Sequence, residues 1–268
     1  MKTNLTSLLI CSVCFLLQSC SLEKEIDLNL PEYESKLVVE CYLEPGEQYR
    51  LALTESVDYF DPRINPIITD ALVIITYNGD VDTLKFGIIS DATGKVFNYS
   101  SPKIVPVDYF SEFSLEIRDN KGRVVTGRTT IPVPVMIDTV EFHYNEDSLA
   151  FPLTKFYDNR SVTNYYRYQV TRDSYLGDEL TDFVFDDKLI TSSQIALNSD
   201  YKLNKGNLVI ISLYNIHKEY FDFLNSVNSA IDANGNPFGQ PASIKSTVQG
   251  GLGVFTGLSR DRKIINAN

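Results

Sequence analysis

The sequence predicts a mainly β protein, with an N-terminal immunoglobulin-like β-sandwich followed by a second β-rich domain that carries one amphipathic helix. Short runs of β-branched and aromatic residues recur along the chain, and Gly, Pro, Asn and Asp separate them. Aromatic residues form 12% of the 268 residues, and they suit half-buried positions on a pleated sheet. One segment alone has the residue spacing of an amphipathic helix. Together these three observations give the fold class.

The N-terminal segment, residues 1–19, predicts a lipoprotein signal peptide. Its apolar run, Leu8–Leu17, is much shorter than the roughly 20 apolar residues of a membrane-spanning helix. The run ends in Leu17–Cys20 (LQSC), which resembles the bacterial lipobox, and that resemblance implies acylation of Cys20. Each buried CH₂ contributes about 0.8 kcal/mol, so more than one acyl chain anchors a protein stably. An ordinary signal peptide with a chance Cys is the alternative.

Residues 20–34 are then a lipidated tether. Glu23, Glu25 and Asp27 follow the lipobox closely, and such acidic residues resemble the surface-export signal of Bacteroidota lipoproteins. The resemblance implies a lipid-anchored protein of the outer membrane that faces the cell surface. The periplasmic face of that membrane and a plain solvated linker stay open as alternatives.

Charge and cysteine content narrow the classes of function. The net charge is −11, which argues against nucleic-acid binding because an acidic surface repels phosphate groups. Cys11 and Cys14 lie in the leader, and Cys20 is the predicted lipid site. Cys41 therefore has no partner for an internal disulfide. Its position in an alternating run predicts a small core residue.

The first domain, residues 35–131, is predicted to contain about seven strands and no helix, a pattern that favours an immunoglobulin-like sandwich over a barrel. Turns at Asn78–Asp80 and Asp119–Gly122 predict hairpins, because Asn and Gly accept positive φ angles. The predicted strands are Lys36–Leu43, Tyr49–Thr54, Ala71–Tyr77, Asp82–Phe86, Lys95–Tyr99, Glu112–Arg118 and Arg123–Thr130.

The segment Ile131–Pro134 predicts a domain boundary, because its two prolines each remove an amide donor and extend the preceding residue. The second domain then covers residues 135–268. Tyr166, Tyr168 and Val170 alternate in its clearest strand and are expected on one face. The predicted strands are Thr139–Tyr144, Tyr165–Arg172, Phe183–Phe185 and Leu208–Tyr214.

One helix is predicted near residues 217–231, from His217 to Ile231. Its apolar residues recur three and four positions apart, opposite a polar face. A single amphipathic helix in a β domain is expected to pack against a sheet. The residues of the apolar stripe are Tyr220, Phe223, Leu224, Val227 and Ile231.

Several features together resemble a Bacteroidota outer-membrane lipoprotein family that is described only as a domain of unknown function. They are the lipobox, Glu25–Asp27 before a KLVVE strand, the aromatic-rich helix, Asn236–Phe238 and the run Gly250–Phe255 (GGLGVF). Genes of that family often neighbour SusC-like TonB-dependent receptors, so the resemblance implies an accessory role at such a transporter. It implies no reaction. The family-motif or interface residues are Asn236, Pro237, Phe238, Gly250, Gly251, Gly253 and Phe255.

Motifs for catalysis and for cofactor or metal binding are not apparent. The glycine run lacks the G-K-[ST] ending of a phosphate-binding loop, and its glycines are expected to kink the backbone or let strands approach closely. His143 and His217 lie in different predicted elements, without ligands at zinc spacing. The acidic residues Asp178, Glu179, Asp182, Asp186 and Asp187 predict a solvated sheet edge, with a weak surface Ca²⁺ site as the alternative.

We therefore expect no enzyme, no cofactor and no metal. The leading hypothesis is an outer-membrane-anchored accessory or solute-binding partner of a TonB-dependent transporter, and the alternative is a structural or adhesive cell-envelope protein. Thr83, Thr139 and Ser148 stand in D-[ST]-aliphatic triplets that resemble the O-glycosylation acceptors of Bacteroidota. Such triplets also arise by chance in β-rich chains.

Overall fold

Strands account for most of the regular structure in the computed structural model, which describes residues 33–58, 66–234 and 243–268. These residues form fifteen strands and one helix, so the mainly β fold with a single helix is confirmed. The elements are β1 (Leu37–Leu43), β2 (Gln48–Glu55), β3 (Leu72–Tyr77), β4 (Asp80–Ser90), β5 (Val96–Ile104), β6 (Phe113–Arg118), β7 (Val124–Thr129), β8 (Ile137–Tyr144), β9 (Ala150–Tyr157), β10 (Tyr165–Arg172), β11 (Glu179–Asp186), β12 (Gln194–Asn198), β13 (Leu208–Ile216), α1 (Lys218–Ala233), β14 (Val248–Gln249) and β15 (Leu252–Asn266).

Twelve strands are hydrogen-bonded in one continuous order, β11-β10-β13-β15-β1-β2-β5-β4-β3-β6-β7-β14. A separate three-stranded sheet has the order β12-β9-β8. The two predicted hairpins are present. Asn78 and Gly79 have φ angles of 47° and 80° between the paired residues Tyr77 and Asp80, and Gly122 has a φ of 81° in the turn between β6 and β7.

Strand β4 changes partner along its length. Residues 80–84 pair with β3, whereas residues 85–90 pair with β5, and the register shifts between Phe86 and Ile89. A strand that passes from one partner to another through an irregularity bends the sheet at that point. The inward-facing side chains of β1 to β7 therefore meet in one cluster, the first core, which includes Leu37, Leu51 and Phe113.

Cys41 is a fully buried member of the first core, as the sequence predicts, and burial raises the pKa of its thiol. A second core lies after the predicted boundary. Tyr166, Tyr168 and Val170 are all fully buried there, which confirms the predicted inward face of β10. The second core draws only on residues after Ile131–Pro134, whereas the first core includes Ile131 and also takes Val248 and Phe255 from near the end of the chain.

Strand β15 joins the parts of the sheet that cover the two cores. Its first segment, residues 252–257, is parallel to β1, and its second segment, residues 258–266, is antiparallel to β13. Residues 35–268 accordingly form one compact unit. No strand is predicted from the sequence at β15, because its opening glycines are unfavourable in strands, and β9 and β12 are likewise not predicted.

The predicted helix is confirmed as α1, and it packs against the sheet. The Tyr220 ring lies 5.7 Å from that of Tyr42, and the Phe221 ring 5.1 Å from that of Tyr165. The predicted apolar stripe is wrong at its last residue, since Ile231 is 64% exposed. Ser226 is buried instead, and its hydroxyl donates to the Phe223 carbonyl. In the described part of the chain, no helix combines the length and apolar character needed to cross a membrane.

Candidate functional site

A polar cleft lies on the face of the large sheet that is turned away from the two cores. Its volume is about 390 Å³, within the range of small-molecule sites. Side chains alternate between the two faces of a strand, and this alternation places the lining residues. In β10, for example, Tyr166, Tyr168 and Val170 point into the second core, while Arg167 and Gln169 line the cleft.

The same alternation operates in the neighbouring strands. In β13, Val209, Ile211 and Leu213 belong to the second core, whereas Ser212 and Tyr214 line the cleft. Strands β1, β2 and β15 contribute further residues, so the floor of the cleft crosses from the first half of the chain to the second. These further residues are Tyr42, Arg50, Leu258, Arg260 and Arg262.

Two loops from different halves of the chain form part of the rim. In the turn between β4 and β5, the Asp91 carboxylate accepts hydrogen bonds from the Thr93 and Lys95 amides, at 2.8 and 3.1 Å. Gly94 of this turn faces Leu176 of the loop between β10 and β11, and a Cβ atom on Gly94 would lie 2.9 Å from the Leu176 methyl. The rim therefore depends on contact between the two halves.

Cationic side chains are concentrated in the cleft although the chain is acidic overall. Five cationic residues and three carboxylates line it, while the net charge of the protein is −11. The lining thus carries both signs of charge, with cations in the majority. The cations are Arg50, Lys95, Arg167, Arg260 and Arg262, and the carboxylates are Glu44, Asp91 and Glu179.

Aromatic rings support four of these cations. Distances from the cation to the ring centroid are 4.7 Å for Lys95 over Tyr42, 5.1 Å for Arg50 over Phe97, 6.0 Å for Arg260 over Tyr214 and 4.6 Å for Arg262 over Tyr175. Such contacts hold a guanidinium in a fixed plane and leave its edge available for hydrogen bonds.

Four of the five cations also form ion pairs. Arg260 contacts Glu44 at 2.7 Å and Arg50 contacts Glu47 at 3.3 Å. Lys95 pairs with Glu40, and Arg167 donates to Asp182 through Nε at 2.8 Å. The four pairs are thus Arg50–Glu47, Lys95–Glu40, Arg167–Asp182 and Arg260–Glu44.

Burial changes the acidity of groups in the cleft. It raises the pKa of the Glu44 carboxyl, against the opposing effect of Arg260. It also raises the pKa of the Tyr42 and Tyr220 hydroxyls, which therefore stay protonated and can donate hydrogen bonds. Burial is the largest effect and disfavours the charged form of Arg167, but the hydrogen bond to Asp182 and the charge interactions with Asp182, Tyr220 and Tyr214 together outweigh it, so the pKa of Arg167 is raised. The arrangement can bind an anion by charge and hydrogen bonding.

The glycines of the motif Gly250–Phe255 have packing roles. A Cβ atom would lie 2.2 Å from the Val124 carbonyl oxygen at Gly250 and 2.0 Å from the Val39 carbonyl oxygen at Gly253. Gly251 lies against the Leu37 carbonyl, so the close approach of strands that the sequence suggests is present. Phe255 is 1% exposed and belongs to the first core.

The remaining predicted residues are spread over the chain. Cys20, Asn236, Pro237 and Phe238 lie outside the described residues. Thr83 is half-buried in β4, Thr139 is exposed in β8, and Ser148 is exposed in a turn. Their glycosylation stays a prediction.

Two of the predicted acidic residues belong to the cleft: Glu179 lines it, and Asp182 accepts hydrogen bonds from Arg167 and Gln169 of its floor. The histidines, Asp186 and Asp187 are not among its lining residues. His143 stacks on Phe151, with ring centroids 5.4 Å apart, and His217 precedes α1, where its Nε2 lies 2.8 Å from the Thr130 carbonyl oxygen. Asp186 pairs with Lys188 at 3.2 Å, and Asp187 accepts a hydrogen bond from the Asn164 amide at 3.0 Å. Among the described residues, no group of three or more His, Cys, Asp or Glu is arranged to hold a metal ion.

Sequence reasoning missed the cleft because its residues come from seven strands that are spread over the sequence. A local signal was present: in both Tyr165–Gln169 and Arg260–Arg262, polar or cationic residues alternate with core or buried ones. That pattern predicts a charged face of a sheet. It does not predict that the two strands lie on either side of β13, which is a matter of topology.

A family model matches most of the chain. Residues 23–264 match a family model described as "Domain of unknown function (DUF4249)". No curated protein shows a significant match. Two solved structures of a "Cytokine receptor complex", in crystal forms 1A and 2, align at 11% and 13% identity, covering 85% and 66% of this chain and 96% and 89% of theirs, with TM-scores of 0.28 and 0.27. Scores this low do not establish a shared fold.

Proposed function

Because the chain belongs to the DUF4249 family, whose function is unknown, we propose a function from its own features: it is a lipid-anchored solute-binding protein of the outer membrane that assists a TonB-dependent transporter. The observation that carries this proposal is the cleft of about 390 Å³. It has the size of a small-molecule site and collects hydrogen-bonding and cationic groups. A binding protein needs such a site, whereas a spacer does not.

The anchoring part of the proposal rests on the N-terminal sequence. Leu17–Cys20 resembles a lipobox, and the acidic residues after it resemble a surface-export signal. Acylation of Cys20 would keep the cleft close to the membrane, where a transporter is accessible. The location at the cell surface and the TonB-dependent partner follow from the same resemblance.

We also propose that β1 to β7 form an immunoglobulin-like sandwich and that the following residues form a second domain. The change of partner within β4 supports the sandwich, because strands that pass between two sheets are typical of that architecture. The separate first and second cores support the division into two domains. In this arrangement the ligand site lies between the domains, a common location for such sites.

Affinity capture from the native host tests the function. The chain carries a C-terminal tag and is purified from detergent-solubilised outer membranes, with Cys20→Ala as the control for anchoring. We expect a TonB-dependent receptor to co-purify with the wild-type chain. We also expect the wild-type chain, but not Cys20→Ala, to incorporate labelled palmitate. Recovery of intact, lipidated chain from the outer membrane without a receptor would contradict the transporter role. Absence of palmitate from the wild-type chain would contradict the anchor.

A further inference from the structure

Arg262 differs from the other cations of the cleft. Within residues 33–58, 66–234 and 243–268, each of the other four has a carboxylate partner, and Arg262 forms no ion pair. Its Nε donates to the Ser212 hydroxyl at 2.8 Å, and one terminal nitrogen lies 3.5 Å from the Tyr214 hydroxyl. A guanidinium has five N–H donors, so most of its hydrogen-bonding capacity remains available.

The Arg262 guanidinium is nevertheless held in place. Its central carbon lies 4.6 Å from the centroid of the Tyr175 ring, and the Ser212 hydrogen bond fixes its other side. A side chain that is oriented before binding loses little conformational freedom when a ligand arrives. The flat edge of a guanidinium matches the two oxygens of a carboxylate, and such pairs are commonly bidentate.

We infer that the cleft binds its solute through a carboxylate group that pairs with the Arg262 guanidinium. This inference rests on the proposed solute-binding function and specifies the class of solute. The other four cations are neutralised by their carboxylate partners, so the charge of Arg262, which forms no ion pair in the described residues, is the one that favours an anion. The small volume favours one small solute over a polymer in extended contact.

The aromatic rings of the cleft argue for a charged group as the main recognition element. Sugar-binding sites commonly offer open aromatic faces, but here cations cover one face each of Tyr42, Tyr175 and Tyr214. The rings thus brace the cations. The polar neighbours Gln169 and Thr171 line the same floor, and they can hydrogen-bond the rest of the solute.

Two matched pairs of probes test the inference by calorimetric titration of the full chain in detergent. The first pair is trialanine and its C-terminal amide, and the second is digalacturonate and its dimethyl ester, so the pairs distinguish a peptide carboxylate from a sugar acid. In at least one pair we expect the acid to bind about tenfold or more tightly than its neutral partner, since a charge-assisted hydrogen bond contributes more than a neutral one. Equal affinities in both pairs, or no binding of either acid up to about 10 mM, would overturn the inference.

Substitution of Arg262 shows whether the preference for the acid depends on this residue. We expect Arg262→Gln to remove the preference and Arg262→Lys to retain part of it, because the lysine keeps the charge but not the planar fork. Arg118→Gln is the control, since Arg118 is exposed, pairs with Glu116 at 2.6 Å and does not line the cleft. Circular dichroism confirms that each variant is folded. An undiminished preference in folded Arg262→Gln also overturns the inference, and it leaves the receptor-capture test of the proposed function unaffected.

Discussion

The first segment of β15, residues 252–257, lies parallel to β1, whereas the second segment, residues 258–266, lies antiparallel to β13. The first is buried almost throughout and contributes Phe255 to the first core. The second alternates buried and partly exposed residues and presents Arg260 and Arg262 to the cleft. One strand thus fixes the position of the two cores relative to the cleft. Its first segment packs into the first core, and its second segment presents charged side chains to the cleft.

The difference predicts that substitutions in the first segment affect folding and that substitutions of Arg260 and Arg262 in the second affect binding. The reason is the number of atoms that must move. A side chain added between closely packed strands displaces backbone, whereas a side chain shortened at the cleft leaves space for water. We therefore expect stability and the proposed solute binding to be separable along β15.

The largest loss of stability is expected for Gly253→Ala. Gly253 has a φ of 108°, and its new Cβ would lie 2.0 Å from the Val39 carbonyl oxygen, so β1 and β15 would have to separate. We expect the free energy of unfolding to fall by about 4 kcal/mol or more, measured by urea denaturation. Gly79→Ala is the matched control, because Gly79 also has a positive φ of 80° but has no atom within 4 Å of the added Cβ. A loss as small as that of the control would show that the strands adjust without cost.

Phe255→Ala is expected to cost about 3 kcal/mol or slightly more, because it leaves a cavity in the first core. The Phe255 ring lies against Gly127, where a Cβ atom would be only 2.9 Å from Cδ1. Ile264→Ala in the second segment is the control, since Ile264 is 52% exposed, and it should change the free energy of unfolding by about 0.5 kcal/mol or less. Similar losses for the two variants would contradict the division of β15 into segments.

Asp261→Ala tests a residue of the second segment that is expected to matter for folding. The buried Asp261 carboxylate accepts a hydrogen bond from the Ile137 amide at 2.8 Å, which ties β15 to the start of β8. Removing it leaves a buried donor without a partner, at a cost of about 1–3 kcal/mol. Asp261→Asn keeps an acceptor and should lose less stability than Asp261→Ala, as measured by thermal denaturation of the two variants. If the Asn variant is as unstable as the Ala variant, the charge of Asp261 and not its hydrogen bond is responsible.

Comparison of β15 with β10 shows what the sequence can predict. The bounds of β10, Tyr165–Arg172, and its buried face are predicted correctly, because a period-two pattern without glycine is unambiguous. In β15 the glycines that permit close contact with β1 also hide the strand, since they lower its apparent β propensity. The pairing of the first strand with the last joins residues about 200 positions apart, which no local pattern encodes.

The cleft was beyond sequence reasoning for the same reason. Arg50, Arg167 and Arg262 each look like ordinary surface cations in their own strands. Only the order β10-β13-β15-β1-β2 brings them to one concave face. That Arg262 forms no ion pair in the described residues is likewise a property of the packed sheet.

The smallest predicted effect concerns Glu55, the last residue of β2. Its partners lie next to the starts of β1 and β7. Glu55 accepts hydrogen bonds from the Ser35 hydroxyl at 2.6 Å, Lys121 at 2.9 Å and Arg123 at 2.7 Å. These bonds lower the pKa of Glu55 from 4.5 to about 2, with Ser35 the largest contributor. A lowered carboxyl pKa adds stability that is complete above the unfolded-state value and is lost as the pH falls through the folded-state value.

We therefore expect the wild-type chain to be more stable than Glu55→Gln at pH 7, by about 1 kcal/mol. The difference should shrink between pH 4.5 and pH 2, which urea denaturation at several pH values can measure. Glu112→Gln is the control, since Glu112 is 51% exposed in its pair with Arg128 and should show a much weaker dependence. A difference between wild type and Glu55→Gln that stays constant from pH 7 to pH 3 would mean that Glu55 acts by packing. In that case the charge of Glu55 would not stabilise the sheet beside the first segment of β15. Packing alone would stabilise that segment.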